Sequence, residues 1–385
     1  MVLQKLSIRK GIFSFPALRG SVFIALSLFF TSLYSVEYYE HDFRDINNTF
    51  HIRASLNPKS NKLQLNIFDQ HWDIMPTHIQ DNYAYGSIYF DAYYAYETLK
   101  LGVFAEKSAS IYLNDGFVQT LFQSNNDFNT FLHNSSINTQ LSKTDIDGYT
   151  NYYDIKGFYL QKLFLLNKYH TLSTKLKFFV SDDVQNVDIN GYNTQDRFLA
   201  NLEYYYRKKN YISHRTADET TAKGYGYSID LEYIYNKEKL YIYAGLLNLG
   251  GIIYWDDISK MSYIFDSQTV YIGDDGYSHR KPFGIGRYED HINYKQHLPM
   301  FYRASIDYAF YDYLSVGNNL SGYKDVVFNE PYITFRVYNS RYKVGYMYEA
   351  NTAIFAAYFQ HFKVEISNNF SFSQQVMQAK VHIWF

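Results

Sequence analysis

Apolar and polar side chains alternate one by one over much of this chain. The clearest run sets Tyr225, Tyr227, Ile229, Leu231, Tyr233 and Tyr235 against Gly226, Ser228, Asp230 and Glu232. Tyr302, Ala304, Ile306, Tyr308 and Phe310 alternate with Arg303, Ser305 and Asp307. Leu172, Thr174, Leu176 and Phe178 alternate with Ser173, Lys175 and Lys177, and Phe362, Val364 and Ile366 with Lys363, Glu365 and Ser367. At the end of the chain, Met377, Ala379, Val381, Ile383 and Phe385 alternate with Gln378, Lys380, His382 and Trp384. Successive strand side chains point to opposite faces, so each run predicts a β-strand with one apolar and one polar face. Sustained 3.6 periodicity is nearly absent, and the chain reads as all-β.

Five stretches break the alternation: 36–82, 110–147, 181–194, 208–222 and 250–298. The remainder divides into fourteen segments, starting near 84, 98, 149, 169, 196, 225, 239, 301, 313, 327, 341, 351, 362 and 376. Each receives about 13 residues, enough for a tilted membrane strand and its turn, and twelve to sixteen strands fit the same length. Counting back from a periplasmic C-terminus puts the tight turns Asn236-Lys237-Glu238-Lys239 and Asn339-Ser340-Arg341 in the periplasm. The same count puts 208–222 and a long 250–298 loop outside, and 110–147 at the periplasmic mouth. There Phe117, Leu121, Phe122, Phe128, Phe131 and Leu132 are spaced for a short amphipathic helix. Such a helix would plug the pore or pack outside it; an ordinary extension is the other reading.

The N-terminus points to export. Lys5, Arg9, Lys10 and Arg19 precede an apolar run over 21–34 that is too short to span a bilayer as a helix. Residues 1–35 therefore read as a signal peptide, with an interfacial anchor helix as the alternative. Residues 36–82 are then an extension on the periplasmic, plug side, and 83–385 the barrel. The 43 tyrosines and 31 phenylalanines suit strands and membrane interfaces. Mean hydropathy is −0.34, but a barrel carries a polar lumen face, so this value does not exclude a membrane protein. There is no cysteine, which excludes disulfides and thiolate chemistry, and a net charge of −2 offers no field for nucleic acid.

Together these features predict a transmembrane antiparallel β-barrel of about fourteen strands in the outer membrane, after Sec-type export. A secreted soluble all-β protein is the competing reading. In a barrel the polar face lines the lumen, which assigns to it Ser228, Asp230, Glu232, Arg303, Asp307, Lys343, Glu365, Lys380 and His382. Their mixed sign argues for paired residues filling a closed or plugged lumen rather than for an ion-selective constriction. The segment Gly273-Asp274-Asp275-Gly276-Tyr277-Ser278-His279 contains the cluster most like a metal or hydrolase site. It lacks the alternating carboxylates of a calcium loop and reads as a polar turn, so no catalytic residue, metal or cofactor is expected.

Two stretches resemble known barrels. The terminal set Val381, Ile383 and Phe385 resembles the C-terminal signal that the outer-membrane assembly machinery reads. Gly224-Tyr225-Gly226-Tyr227-Ser228-Ile229-Asp230-Leu231, with Leu246-Leu247-Asn248-Leu249-Gly250-Gly251-Ile252-Ile253-Tyr254-Trp255, resembles the FadL-like barrels near the PorV and TraF groups. Their unit reads G-x-G-x-x-x-D-L, then a strand ending DLG-x-I-x-W; here Asn248 replaces the Asp, and Gly251 and Ile253 disturb the spacing. The resemblance implies a fourteen-stranded barrel with an internal plug, and hydrophobic-substrate uptake or assembly roles. The leading expectation is passive transport of an unidentified small hydrophobic or amphipathic molecule, in a chain whose other partners are outer-membrane lipid and the assembly machinery. A structural or assembly partner displaying Tyr254, Trp255, Tyr263, Phe265 and Tyr271 is the alternative, and an outer-membrane hydrolase the third.

Overall fold

The computed structural model describes residues 48–57, 59–60, 82–117, 144–194, 197–207, 223–268, 270–272, 278–280, 284–323, 326–338, 340–349, 352–359, 362–369 and 377–384. In chain order its strands are β1 (Thr49–Leu56), β2 (Lys59–Ser60), β3 (Asn82–Tyr96), β4 (Leu99–Leu113), β5 (Thr144–Leu165), β6 (His170–Asn193) and β7 (Phe198–Tyr206). There follow β8 (Gly224–Lys237), β9 (Leu240–Asp266), β10 (Val270–Ile272), β11 (Ser278–Arg280), β12 (Gly284–His297) and β13 (Phe301–Tyr311). The last six are β14 (Leu314–Tyr323), β15 (Val326–Val337), β16 (Ser340–Met347), β17 (Thr352–Tyr358), β18 (Phe362–Asn369) and β19 (Met377–Trp384).

The wall closes on itself. From β1 the antiparallel circuit runs through β3, β4, β5, β6, β8, β9 and β13, then β14 to β19, and back to β1. That is a closed barrel of fourteen strands. Closure pairs every ladder, which a lipid environment requires because it offers the backbone no water. β4 shows how sequence sets the faces: Leu99, Leu101 and Val103 point out and are exposed, while Lys100 and Phe104 point in and are buried. An outward apolar band of this kind fits bilayer hydrocarbon. Rings gather at one end, with Tyr311 and Tyr313 stacked at 5.3 Å and Phe359 and Phe362 at 4.4 Å, as an interfacial girdle would be. Tight turns close the same end, where Glu97, Glu238 and Tyr338 adopt positive φ. Thr49 and Trp384 also lie there, which makes it the periplasmic end.

The opposite end is lopsided. β5, β6 and β9 run for 22, 24 and 27 residues, about twice what a span needs. Their distal parts rise beyond the membrane, joined by β7, which bridges β6 to β9, and by β12, which pairs with the other edge of β9. β7 and β8 both descend along β9, and so do β12 and β13, so each pair is one wall position interrupted by other chain.

Four expectations are corrected. Residues 36–82 are not simply an extension, because Thr49–Leu56 is a wall strand that closes the barrel between β19 and β3. The segment near 196 is not a separate wall strand but the upper half of the position that β8 completes. This exchange preserves the count of fourteen but reverses the parity upstream. β4 rises and β5 descends, so 110–147 departs from the extracellular end, not the periplasmic one. Residues 250–298 are not one long loop, since they include most of the β9–β12 pairing and the ribbon of β10 with β11. The alternation there was hidden by bulges: Asn248, Gly250, Asp257 and His291 have positive φ, and β9 shifts register against β8 and β12. Each extra residue moves the apolar set to the other face, so a fixed period of two loses phase.

Deleting residues 49–56 is expected to abolish the heat-modifiable folded species in outer-membrane fractions, because β3 and β19 would each keep an open edge in lipid. An undiminished folded band would show that the barrel closes without β1.

Candidate functional site: the barrel lumen

All nine lumen candidates face inward. Ser228, Asp230, Asp307, Lys343, Glu365, Lys380 and His382 are buried; Glu232 and Arg303 are half-buried and line a central cavity. The mixed charges meet in pairs. Lys380 lies 2.6 Å from Glu365 and Lys343 contacts Glu330, whose Oε1 also accepts the Asn319 amide at 3.0 Å. Lys177 lies 2.9 Å from Asp230 and donates to Asn248 Oδ1 at 2.7 Å, while the Asn248 backbone N–H donates to Asp230 at 2.9 Å. Glu232 accepts from Gln161, Ser173 and Tyr243 at 3.1–3.3 Å, and Asp307 accepts from Ser315 at 3.1 Å. His382 Nε2 lies 2.9 Å from His51 Nδ1. Buried charge is costly unless it is paired or hydrogen-bonded: Lys177, Lys343 and Lys380 each have a carboxylate partner, and Glu232 and Asp307 are held by neutral donors.

A further buried pair lies outside the nine candidates and was missed in the sequence. Arg53 on β1 forks onto Asp91 of β3, its register partner, with Nε donating at 2.7 Å and Nη2 to the other oxygen. Tyr159 and Tyr89 add hydroxyl bonds to Asp91 at 2.9 and 3.2 Å, and the guanidinium lies 4.6 Å from the Tyr93 ring centre. A usable signal was present: Phe50, Ile52, Ala54 and Leu56 alternate with His51, Arg53 and Ser55.

Adjoining this network, bulges bend the wall on one side. Two extra residues in β9, around Asn248 and Gly250, break its register with β8. The bend carries Ile253, Trp255 and Leu298 into a core with Phe104, Tyr153 and Phe179. Trp255 Nε1 donates to Gln296 Oε1 at 2.9 Å, and Gln296 Nε2 reaches Asn151 Oδ1 at 2.8 Å and Asn186 Oδ1 at 3.1 Å. Gly224 and Gly226 make room for this core. A Cβ on Gly224 would meet Ile253 at 2.6 Å and Trp255 at 2.8 Å, and one on Gly226 would meet Phe179 at 2.3 Å. Crowding by facing rings therefore explains the G-x-G of the FadL-like stretch.

Of the plug candidates, Phe117 is described: Asn114 Oδ1 caps its N–H at 2.9 Å as a helical turn begins, and its side chain is buried. Leu121, Phe122, Phe128, Phe131 and Leu132 lie outside the described residues, as do the 1–35 segment, Asp274 and Phe385. Val381 and Ile383 sit on β19, which pairs with both β18 and β1. Ser278 and His279 lie on β11, paired with β10 and separate from the lumen sheet. Trp255, expected on a docking surface, is instead 1% exposed. Beyond the membrane, Glu203 on β7 is held below the usual carboxylate range: burial alone would raise it, and bonds from Lys260 at 2.6 Å and Tyr205 at 2.7 Å outweigh that.

Beneath an aromatic layer at the outer end remains a cavity of about 140 Å³. Its walls mix Lys175, Arg303, Glu106 and Glu232 with Tyr85, Leu247, Phe301 and Met347.

No family model matches the chain, and no curated protein matches it. Among solved structures it is similar to a TodX deltaS2S3 mutant, a monoaromatic hydrocarbon channel, at 8% identity over 92% of this chain and 94% of that one, TM-score 0.42. It is similar to CymD, also a monoaromatic hydrocarbon channel, at 11% identity over 89% and 88%, TM-score 0.40. The P. putida toluene transporter TodX matches at 9% identity over 89% of each chain, TM-score 0.36. Likeness of this degree assigns no function; what the chain's own ladders and faces establish is a closed fourteen-stranded barrel of the outer-membrane type.

Proposed function

We propose that this barrel is a passive outer-membrane channel for a small amphipathic molecule, through a lumen that its own wall side chains plug. The central cavity carries this reading. A bare hydrocarbon would gain little beside Lys175, Glu106 and Glu232, and an ion would meet both signs of charge. A molecule with an apolar body and a polar group matches both parts of the lining. Proteoliposomes holding the full exported chain should take up small aromatic alcohols or acids faster than protein-free vesicles. Flux no greater than through protein-free vesicles would sink the channel reading.

Ser87 lines the cavity and is buried on β3. Ser87→Trp, which fills the space with an indole, should lower that flux about tenfold or more while the folded band survives. Unchanged flux would place the route elsewhere.

A further inference from the structure

Tyrosines from opposite walls meet at the outer end of the lumen. Tyr112 on β4 and Tyr149 on β5 are register partners, their rings stacked at 5.3 Å. Tyr323, at the top of β14, stacks on Tyr83 of β3 at 4.9 Å. The hydroxyls of Tyr149 and Tyr323 hydrogen-bond to each other. In the circuit β5 and β14 are separated by β6, β8, β9 and β13 on the shorter way round, so this contact is a chord across the barrel. Phe301 of β13 supports it, 5.7 Å from the Tyr323 ring and edge-on to Tyr85 at 4.8 Å.

This layer lies outward of the cavity. On β3, Tyr83 precedes the cavity residues Tyr85, Ser87 and Tyr89; on β14, Tyr323 follows Asn319 and Ser321; on β15, Phe328 precedes Glu330. The ion pairs beneath are charge-assisted, whereas the chord is one bond between neutral hydroxyls with ring contacts around it. Tyr149 and Tyr323 can swing about their side-chain torsions without breaking any ladder bond of the wall.

We propose that the Tyr149–Tyr323 contact is the gate on the axial route between the exterior and the lumen cavity. It selects cargo by the width to which two tyrosine rings can part. The idea builds on the channel reading for its cargo, but ion conductance tests it without any cargo.

The test uses the full exported chain in planar bilayers. Tyr149→Ala with Tyr323→Ala should raise single-channel conductance about fivefold or more, as removal of a constriction does. Tyr323→Cys offers a second measurement on assembled protein, because the chain has no cysteine of its own. Its conductance should be raised, and should fall back when a thiol reagent bearing an aromatic group is added from the outer side. Wild-type conductance in an assembled double variant, or no response of the Cys channel to the reagent, overturns the gate. A wild-type chain that takes up no probe while the double variant conducts would remove the channel reading and leave the gate standing.

Discussion

Arg53→Ala is expected to destabilise the barrel by about 3–5 kcal/mol, the usual cost of leaving one partner of a buried ion pair behind. Arg53 and Asp91 are 2% and 0% exposed and join β1 to β3, beside the β19–β1 seam that closes the wall. Without the guanidinium, the Asp91 carboxylate loses its forked ion pair, and its remaining direct hydrogen bonds come from the neutral hydroxyls of Tyr159 and Tyr89. Neutral donors do not offset the desolvation of a full charge. The readout is the temperature at which the compact band gives way to the unfolded one on a gel. Arg53→Leu with Asp91→Leu should recover most of the loss, because apolar side chains of similar size leave nothing uncompensated. The exposed pair Lys156–Asp182 gives the contrast: Lys156→Ala should change stability by less than about 1 kcal/mol. An Arg53→Ala barrel as stable as wild type, or a double variant worse than the single one, would show that the pair is not what holds this seam.

The second large effect is expected at Trp255. Trp255→Ala should cost about 3–5 kcal/mol for the cavity left by a fully buried indole. It would also free the Gln296 carbonyl, the anchor from which Gln296 reaches Asn151 and Asn186 on the facing wall. Trp255→Phe separates the two contributions, since it retains most of the packing and loses the N–H. It should lie between wild type and Trp255→Ala in the same melting assay. Melting of Trp255→Ala at the wild-type temperature would show that the bend is held by β9 alone.

Much of the wall was legible because lipid and lumen impose opposite chemistries on alternate residues. The run from Gly224 to Tyr235 and the strands from β13 onward follow that alternation and lie close to where it places them. Legibility failed where the backbone changes phase. Asn248, Gly250, Asp257 and His291 each occupy the left-handed region, and β9 and β12 around them looked like loop. It failed again at β1, eight residues isolated by a long stretch without alternation. The inward orientation of the charged candidates followed from their place on the polar faces. Their partners did not, because Lys343 meeting Glu330 and Lys177 meeting Asp230 depend on which strands are neighbours, and one face cannot report that. The Tyr149–Tyr323 chord was more remote still, joining positions 174 residues apart across the barrel.

The two interrupted wall positions bear on how such a protein changes. Strand β7 ends at Tyr206 and β8 begins at Gly224 directly below it, with β6 and β9 holding both in register. Added length at that joint costs only loop-closure entropy, which grows slowly, by about 0.6 kcal/mol per doubling. The joint is therefore a port where foreign sequence, such as an epitope or a binding peptide, can be grafted while the membrane wall keeps its pairing. Inserted sequence there would change the outer surface of the barrel and leave the lumen pairs untouched.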